Sequence, residues 1–473
     1  MTAMIETNAD ECNDESLKDN NLVGKKMHVV FIENEKSLKD QELFDDERGR
    51  VSEEDNDSCY QEDVDQLGTF ADGNNASPAE IKLKIKKSLL EFRCKVEDAI
   101  LGNYLLGEPS SKLSPGELGL AREQLRDITL WGVPLLPSKA HEGTDIVLRK
   151  FLKAKDFKIN DAFDMLQKTM IWRSENNIDG IIDEDLDFEN AGFLKGADRE
   201  GRPVCYQVRG VFRDKLVYKN TFGTQQKRDR FFRWGIQIME KAIKKLRFRE
   251  GGVDSIVLIY DLRNTPAQGM KDLHSISRKT IILFQNYYPE LVHKSIVVYA
   301  PFWFFTSQVI FSKLMSQSNI KRFVFARPQN TTQTLLKNIG PEHLPVQYGG
   351  LLREDDEEFS PSDWVGEIKI RANTVSRVEF PILEPGVTIT WDVTVVGWDV
   401  SYKEEFIPDD EGSYTILLQN QNRVYDSTRN SFYISEPGRI VITIANGTFN
   451  KKKVFYRSKS RTTLPMFILY PDT

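Results

Sequence analysis

The sequence predicts a multidomain chain: a disordered acidic N-terminal tail, a helical region, an α/β domain with a mostly parallel sheet, and an all-β sandwich. Three observations predict it. The first 80 residues carry 22 acidic and 7 basic side chains and no sustained apolar periodicity, a composition that cannot bury enough apolar surface to offset chain entropy. From Arg202 onward, short and nearly continuous apolar runs alternate with helical segments, the pattern of strands covered on both faces. After residue 365, apolar and polar residues alternate with period two between Pro-Gly turns, as in sheets with one buried face.

Each segment follows in order. Residues 1–80 are the tail. Residues 81–190 are helical: Leu89, Phe92, Val96, Ala99 and Ile100 recur at spacings of three and four. A linker with Pro109 and Pro115 runs from Gly107 to Gly119. Asp145 is placed to cap IVLRKFLKAK, and Asn160 to cap DAFDMLQKTMIWRSEN, whose Ala162, Met165, Leu166, Met170 and Ile171 form one stripe. The α/β domain spans 191–352. Its strands are RPVCYQVRG from Arg202, SIVLIYDL from Ser255, SIVVYA from Ser295 and RFVFA from Arg322. Its helices cover 227–249, 270–288, 299–315 and 331–340. An acidic linker, 353–365, leads to the sandwich, 366–473.

Composition and motifs exclude several functions. The net charge of −7 hides a net basic folded part, because the tail holds the acidic excess; that suits an anionic partner. The start, MTAMIETNADECNDE, is too polar for a signal peptide, and no run of about 18 apolar residues reads as a membrane span. Cys12, Cys59, Cys94 and Cys205 lack metal-ligand spacing and point to a reducing, cytosolic compartment. Phosphate-loop glycines and G-x-S-x-G are absent. Cys205 and Arg209 stand closer together than a thiol phosphatase requires. The five histidines are isolated, and Asp261, at a strand end, reads as a loop cap. No catalytic or metal-binding residue is assigned, no cofactor is expected, and the reading is not an enzyme.

The stretch YAPFWFFTSQVIFSKLM, from Tyr299, carries more apolar surface than one helix face needs. Phe304, Phe311 and Met315 run down one side, and Trp303, Ile310 and Leu314 down another. Such a helix wants two apolar partners. NYYPELVHKSIVVYAPFWFF and LPVQYGG, together with IVLRKFLKAKDFKINDAFDMLQKTMIWR and FLKGADREGRPVCYQVRG, resemble the Sec14-like CRAL-TRIO lipid-binding domain over about 130–352. The end, with EGSYTILLQNQNRVYD and KKKVFYRSKSR, resembles a GOLD domain. An acidic tail, CRAL-TRIO and GOLD, in that order, resembles the plant patellins.

The resemblance implies a ligand and its sites. Phe302, Trp303, Phe304, Phe305 and Phe311 become a gate over an acyl pocket. Glu290, Arg322 and Lys155 become the lipid headgroup site, with Arg322 in place of the family's lysine and Asn319 in place of its threonine. Ile256 and Leu258 stand where members that carry phosphatidylcholine use Ser and Thr, so a phosphoinositide, or another hydrophobic ligand, is expected in place of phosphatidylcholine. Lys451, Lys452, Lys453 and Arg457 form the membrane contact, a run with six basic residues and no acid from Lys451 to Arg461. The expectation is a monomeric cytoplasmic protein, peripheral on the plasma membrane or cell plate. It binds and transfers phosphoinositide in membrane trafficking and cytokinesis, and contacts anionic lipids and trafficking proteins but no nucleic acid. The alternative is a trafficking adaptor that recruits partners through GOLD and the tail without moving lipid.

Overall fold

The computed structural model describes residues 78–107, 119, 123, 125–265, 271–301, 322–424 and 426–463. All of them fall in one compact unit. The acidic tail and most of the first linker lie outside the described residues.

Helix α1 (Pro78–Leu101) opens the described chain. Its Phe92, Val96, Ala99 and Ile100 are fully buried, as their helical spacing requires. A two-strand ribbon, β1 (Thr129–Leu130) and β2 (Val133–Pro134), leads to α2 (Glu142–Ala154) and α3 (Ile159–Glu175). Both expected caps are corrected. His141 caps α2 by accepting from the Gly143 N–H, while Asp145 lies in the first turn and pairs with Arg93 at 2.5 Å. The N-cap of α3 is Lys158, and Asn160 sits inside the helix, where it accepts from Lys95. A nearby basic chain outcompetes the local cap for each of these side chains.

The α/β domain is a five-stranded sheet in the order β3 (Gly192–Ala197), β4 (Pro203–Val208), β5 (Ile256–Asp261), β6 (Val292–Val298), β7 (Phe323–Phe325). β3 is antiparallel to β4, and the other pairings are parallel. Crossovers contain α4 (Lys215–Phe222) and α5 (Gln225–Ile243) between β4 and β5, and α6 (Lys271–Tyr287) between β5 and β6. After β7 comes α7 (Thr331–Asn338). The predicted helix 227–249 is shorter than expected and capped by Thr224, whose hydroxyl accepts from the Lys227 N–H.

Alternation along the strands divides the core into two faces. Cys205, Ile256 and Leu258 join the large cluster formed with α1–α6. Val204, Tyr206, Val257, Ile259, Ile296 and Val298 join Leu335 and Leu336 of α7, together with Leu344, Tyr348 and Leu351.

The sandwich has two antiparallel sheets. One has the order β13 (Thr428–Ile434), β10 (Val387–Val395), β15 (Lys452–Thr462), β8 (Gly366–Ile370). The other has the order β12 (Ile416–Gln421), β11 (Ser401–Pro408), β14 (Gly438–Asn446), β9 (Thr374–Ile382). The period-two pattern survives as buried, inward-facing Ile440, Ile442 and Ile444 on β14 and Trp391, Val393 and Val395 on β10. A buried carboxylate, Glu404, is satisfied by Trp391 Nε1 at 2.8 Å, Tyr402 OH at 2.5 Å and Asn430 Nδ2 at 2.8 Å, which removes the penalty of an unpaired buried acceptor.

The two domains share a core. Phe455 of β15 packs in the cluster on the α7 side of the parallel sheet. The Thr394 hydroxyl donates to the Gly349 carbonyl at 3.1 Å, and that of Ser427 to Gly350 at 2.8 Å. Gly349 has φ +86°, and a Cβ there would meet the Thr332 side chain at 2.6 Å, so the turn that presents these carbonyls needs glycine. Beside them, Asp392 accepts from Arg429 Nε at 2.8 Å and Nη2 at 2.7 Å, and from Arg457 Nε at 2.9 Å. Asp356, from the acidic linker, takes the other edge of Arg429 with two bonds of 2.7 Å. Phe359 of the same linker is buried beneath the Arg457 and Arg429 guanidiniums, at 4.3 and 5.1 Å. The linker is therefore a docked strap.

Candidate functional site

Two of the residues singled out from sequence, Glu290 and Arg322, meet at the start of β6. The Tyr287–Glu290 turn joins α6 to β6. Tyr287 stacks on Trp172 with centroids 4.4 Å apart, and Tyr288 OH donates to Glu240 Oε1 at 2.6 Å. Glu240 also receives Arg173 Nη1 at 2.6 Å, and both side chains are buried. So anchored, the turn closes with Glu290 at φ +56°, a left-handed conformation that costs a non-glycine residue of order 1 kcal/mol.

Glu290 lies just before β6 and Arg322 just before β7, so parallel pairing sets them side by side at one sheet edge. Arg322 Nη2 donates to Glu290 Oε2 at 2.5 Å, and Nη1 to the Val292 carbonyl at 3.3 Å. Their side chains keep 19% and 15% of their surface exposed, enough for a polar group to reach them from outside. Lys150, from α2, donates to the Glu290 carbonyl at 3.0 Å and to Asp254 at 2.9 Å. Burial pulls the Lys150 ammonium below its usual range, opposed by the nearby Asp254 and Glu290 carboxylates. Lys155 is the C-cap of the same helix. It is half-buried, without a side-chain partner among the described residues, and no contact joins it to the pair.

Sequence reasoning missed Lys150 and Asp254. The available signal was a lysine flanked by Val147, Leu148, Phe151 and Leu152, all buried in α2. A lysine inside such a face needs an acidic partner. Ile256 and Leu258 are buried on the α6 side of the sheet, without hydrogen-bonding side chains. Phe302, Trp303, Phe304, Phe305, Phe311 and Asn319 lie outside the described residues.

The basic run at the chain end divides on the structure. Arg457 is 1% exposed and is held by Asp392 and the Leu351 carbonyl, the latter at 2.8 Å; it belongs to the domain junction. Lys452 is 9% exposed and donates to the Gly397 carbonyl at 3.1 Å. Neither faces a bilayer, which corrects the expected contact. Lys452 and Arg457 lie on opposite faces of β15, the first held by the Gly397 carbonyl and the second by the junction carboxylates. Lys451 is exposed, and Lys453 is half-buried against Glu367 at 2.9 Å. Between β14 and β15, Phe449 is 91% exposed. The buried Asn446 side chain holds that turn, donating to Arg371 and Asn450 carbonyls and accepting from Thr448.

Comparison with known proteins decides the family. Residues 187–350 match the CRAL/TRIO domain, and residues 371–453 match the patellin-1-like C-terminal GOLD domain. Patellin-3 of Arabidopsis thaliana is 36% identical over 400 residues, covering 83% of this chain and 77% of its own. This chain belongs to the patellin family. Patellin-4 of the same plant is 43% identical over 342 residues, covering 71% of the chain, and Patellin-5 is 38% identical over 414 residues, covering 83%. The chain spans about 60% of the length of those two relatives, 62% and 60% respectively. The patellins are a non-enzymatic, lipid-binding family with a Sec14-like CRAL/TRIO domain. The helical region, α/β sheet and β-sandwich expected from sequence are the observed architecture. No described helix is long and apolar enough to cross a membrane.

Proposed function

We propose that this patellin binds phosphoinositide in its CRAL/TRIO domain and moves it between membranes. The observation that carries the reading is the Glu290–Arg322 pair, partly exposed at one edge of the sheet on a turn anchored from the core. Arg322 offers a planar fork suited to phosphate oxygens. When a phosphate takes that fork, Glu290 is freed to accept from inositol hydroxyls, so the headgroup replaces one ion pair with two complementary contacts. Lys155, without a side-chain partner among the described residues, adds positive charge at the end of α2. Each acyl CH₂ buried from water contributes ~0.8 kcal/mol, so exchange belongs at a membrane rather than in solution.

Lys451 and the exposed Phe449 give the sandwich a compact bilayer contact, with Lys453 behind them. Aromatic and basic side chains together suit an anionic interface. The wider setting we propose is a cytoplasmic protein, peripheral on the plasma membrane or cell plate, in membrane trafficking and cytokinesis. Family membership supports it, and imaging a fluorescent fusion in dividing plant cells tests it; absence from the forming cell plate counts against it.

The central test is native mass spectrometry after incubation with liposomes containing phosphatidylinositol. A one-to-one adduct is expected, reduced at least tenfold in Glu290→Ala/Arg322→Ala. Equal adducts in both proteins would remove the headgroup site. No adduct in either would favour the adaptor reading. Co-sedimentation with anionic vesicles should fall in Phe449→Ala/Lys451→Glu; unchanged sedimentation would exclude this hairpin.

A further inference from the structure

A second charged site lies at the opposite edge of the same sheet. Arg209 follows β4 directly, with its N–H on the Asp261 carbonyl at the end of β5. The Glu290–Arg322 pair precedes β6 and β7. Six-residue strands rising about 3.3 Å per residue separate these edges by roughly 20 Å.

The side chains around Arg209 follow from parity. Cys205 and Gln207 alternate along β4, Arg209 Nη2 reaches back to Gln207, and the parallel register sets Cys205 beside Leu258 and Gln207 beside Tyr260. Cys205 and Leu258 belong to the core cluster on the α6 side, with Tyr260 packed against it. The guanidinium therefore turns toward α6, whose His274 stands close enough to feel its charge. Its one side-chain acceptor is Gln207 Oε1, at 2.6 Å. Among the described residues no carboxylate pairs with it, and the Tyr260 hydroxyl has no hydrogen-bond partner.

An unpaired guanidinium in a core is expensive. Burial lowers the Arg209 pKa from its ordinary value and raises the Tyr260 phenol to about 12, yet both side chains keep some accessible surface. They are therefore not wholly sealed in the core. Spare Arg209 N–H groups and the Tyr260 O–H are left as donors without acceptors among the described residues, and the thiol of Cys205, pushed up to about 12 by burial, stays uncharged. The arrangement lacks one component, an anion.

We propose that Arg209, with Tyr260 and Gln207, recognises the acidic group of an anionic amphiphile, a carboxylate or a phosphate, inside the CRAL/TRIO domain. The site rests on the lipid-carrier reading but not on the Glu290–Arg322 pair. A lipid whose headgroup sits at Arg322 extends its acyl chains away from that edge. An acid at Arg209 therefore belongs to a ligand lying in the other direction. The site also discriminates by charge where Ile256 and Leu258 supply no hydrogen bond: an acidic lipid satisfies the guanidinium, and its neutral counterpart leaves it unpaired.

The experiment uses the full chain and measures binding by isothermal titration and native mass spectrometry. Oleate is compared with oleyl alcohol, and dioleoyl phosphatidate with dioleoylglycerol. The wild type is expected to prefer the acidic member of a pair at least tenfold. Arg209→Leu should abolish that preference while still binding the neutral member. Arg209→Lys should keep part of it, and Tyr260→Phe should weaken acid binding several-fold. A preference in the oleate pair alone assigns a carboxylate, and one in the phosphatidate pair alone assigns a phosphate; either supports the site. Glu290→Ala/Arg322→Ala should leave the preference intact. Thermal melting controls for folding: with no acid to lose, Arg209→Leu should melt no lower than wild type. Equal binding of acidic and neutral members by the wild type, or an undiminished preference in Arg209→Leu, overturns the proposal and spares the carrier reading. Failure of every acyl compound to bind overturns both.

Discussion

Replacing Asp392 by alanine is expected to destabilise the protein by about 3–5 kcal/mol, the usual consequence of removing one partner from a buried ion pair. Asp392 is fully buried and faces the guanidiniums of Arg429 and Arg457, with Arg353 at 3.5 Å. Alanine leaves Arg457, itself 1% exposed, with Asp356 at 3.3 Å as its remaining carboxylate. Urea unfolding followed by Trp fluorescence reads the loss as a lower midpoint. Asp392→Asn, which keeps the shape, should cost less. A loss under about 1 kcal/mol, the scale of a surface pair, would show that the network does not hold the junction.

The same network sets an acid limit. Burial alone would raise the Asp356 pKa, but hydrogen bonds from Arg429 and from the Phe359 and Glu358 N–H groups outweigh it and hold the carboxyl at about 2. The folded value lies below the unfolded one, so the contribution is complete above pH 4 and is lost as pH falls toward 2. Asp356→Asn should flatten the stability profile in that window; an unchanged profile would place the acid sensitivity elsewhere.

Replacing Glu240 by alanine should be comparably damaging, again about 3–5 kcal/mol, with a functional consequence. Arg173, 4% exposed, would retain only Asp179, whose side chain is 77% exposed. Tyr288 OH would lose its acceptor. Because Tyr288 fixes the turn that ends at Glu290, phosphatidylinositol binding should weaken even at temperatures where the variant is folded. Tyr288→Phe separates the two effects. It keeps the Arg173–Glu240 pair and removes one charge-assisted hydrogen bond, worth about 1.5–3 kcal/mol. Native mass spectrometry at 10 °C, beside a melting curve, checks the prediction. Full phosphatidylinositol binding by folded Glu240→Ala would separate the turn anchor from the proposed headgroup site.

Local patterning carried much of the fold. Burial along α1 follows the spacing of Phe92, Val96, Ala99 and Ile100. β5 was legible as IVLIYD, because a strand covered on both faces has no solvent-facing position to interrupt it. The alternation of β14 marked the sandwich for the converse reason. Caps were less legible. Asp145 and Asn160 have cap chemistry, but Arg93 and Lys95, more than 50 residues away in sequence, claim them.

The candidate site shows the same division. The sequence by itself determined which side chains are available: the acid closing the YYPE turn, the arginine before the last strand, and the lysines near the chain end. Tertiary structure alone decided which of these meet and which are consumed. Parallel pairing brings Glu290 and Arg322 within 2.5 Å. Docking of the α/β domain on the outer face of β15, together with the buried carboxylate of Asp392, removes Arg457 from the surface. In the parallel sheet, Arg209 is left facing α6 without a carboxylate among the described residues. Periodicity reports which face a residue occupies, whereas the charge waiting on that face comes from segments far away in the chain.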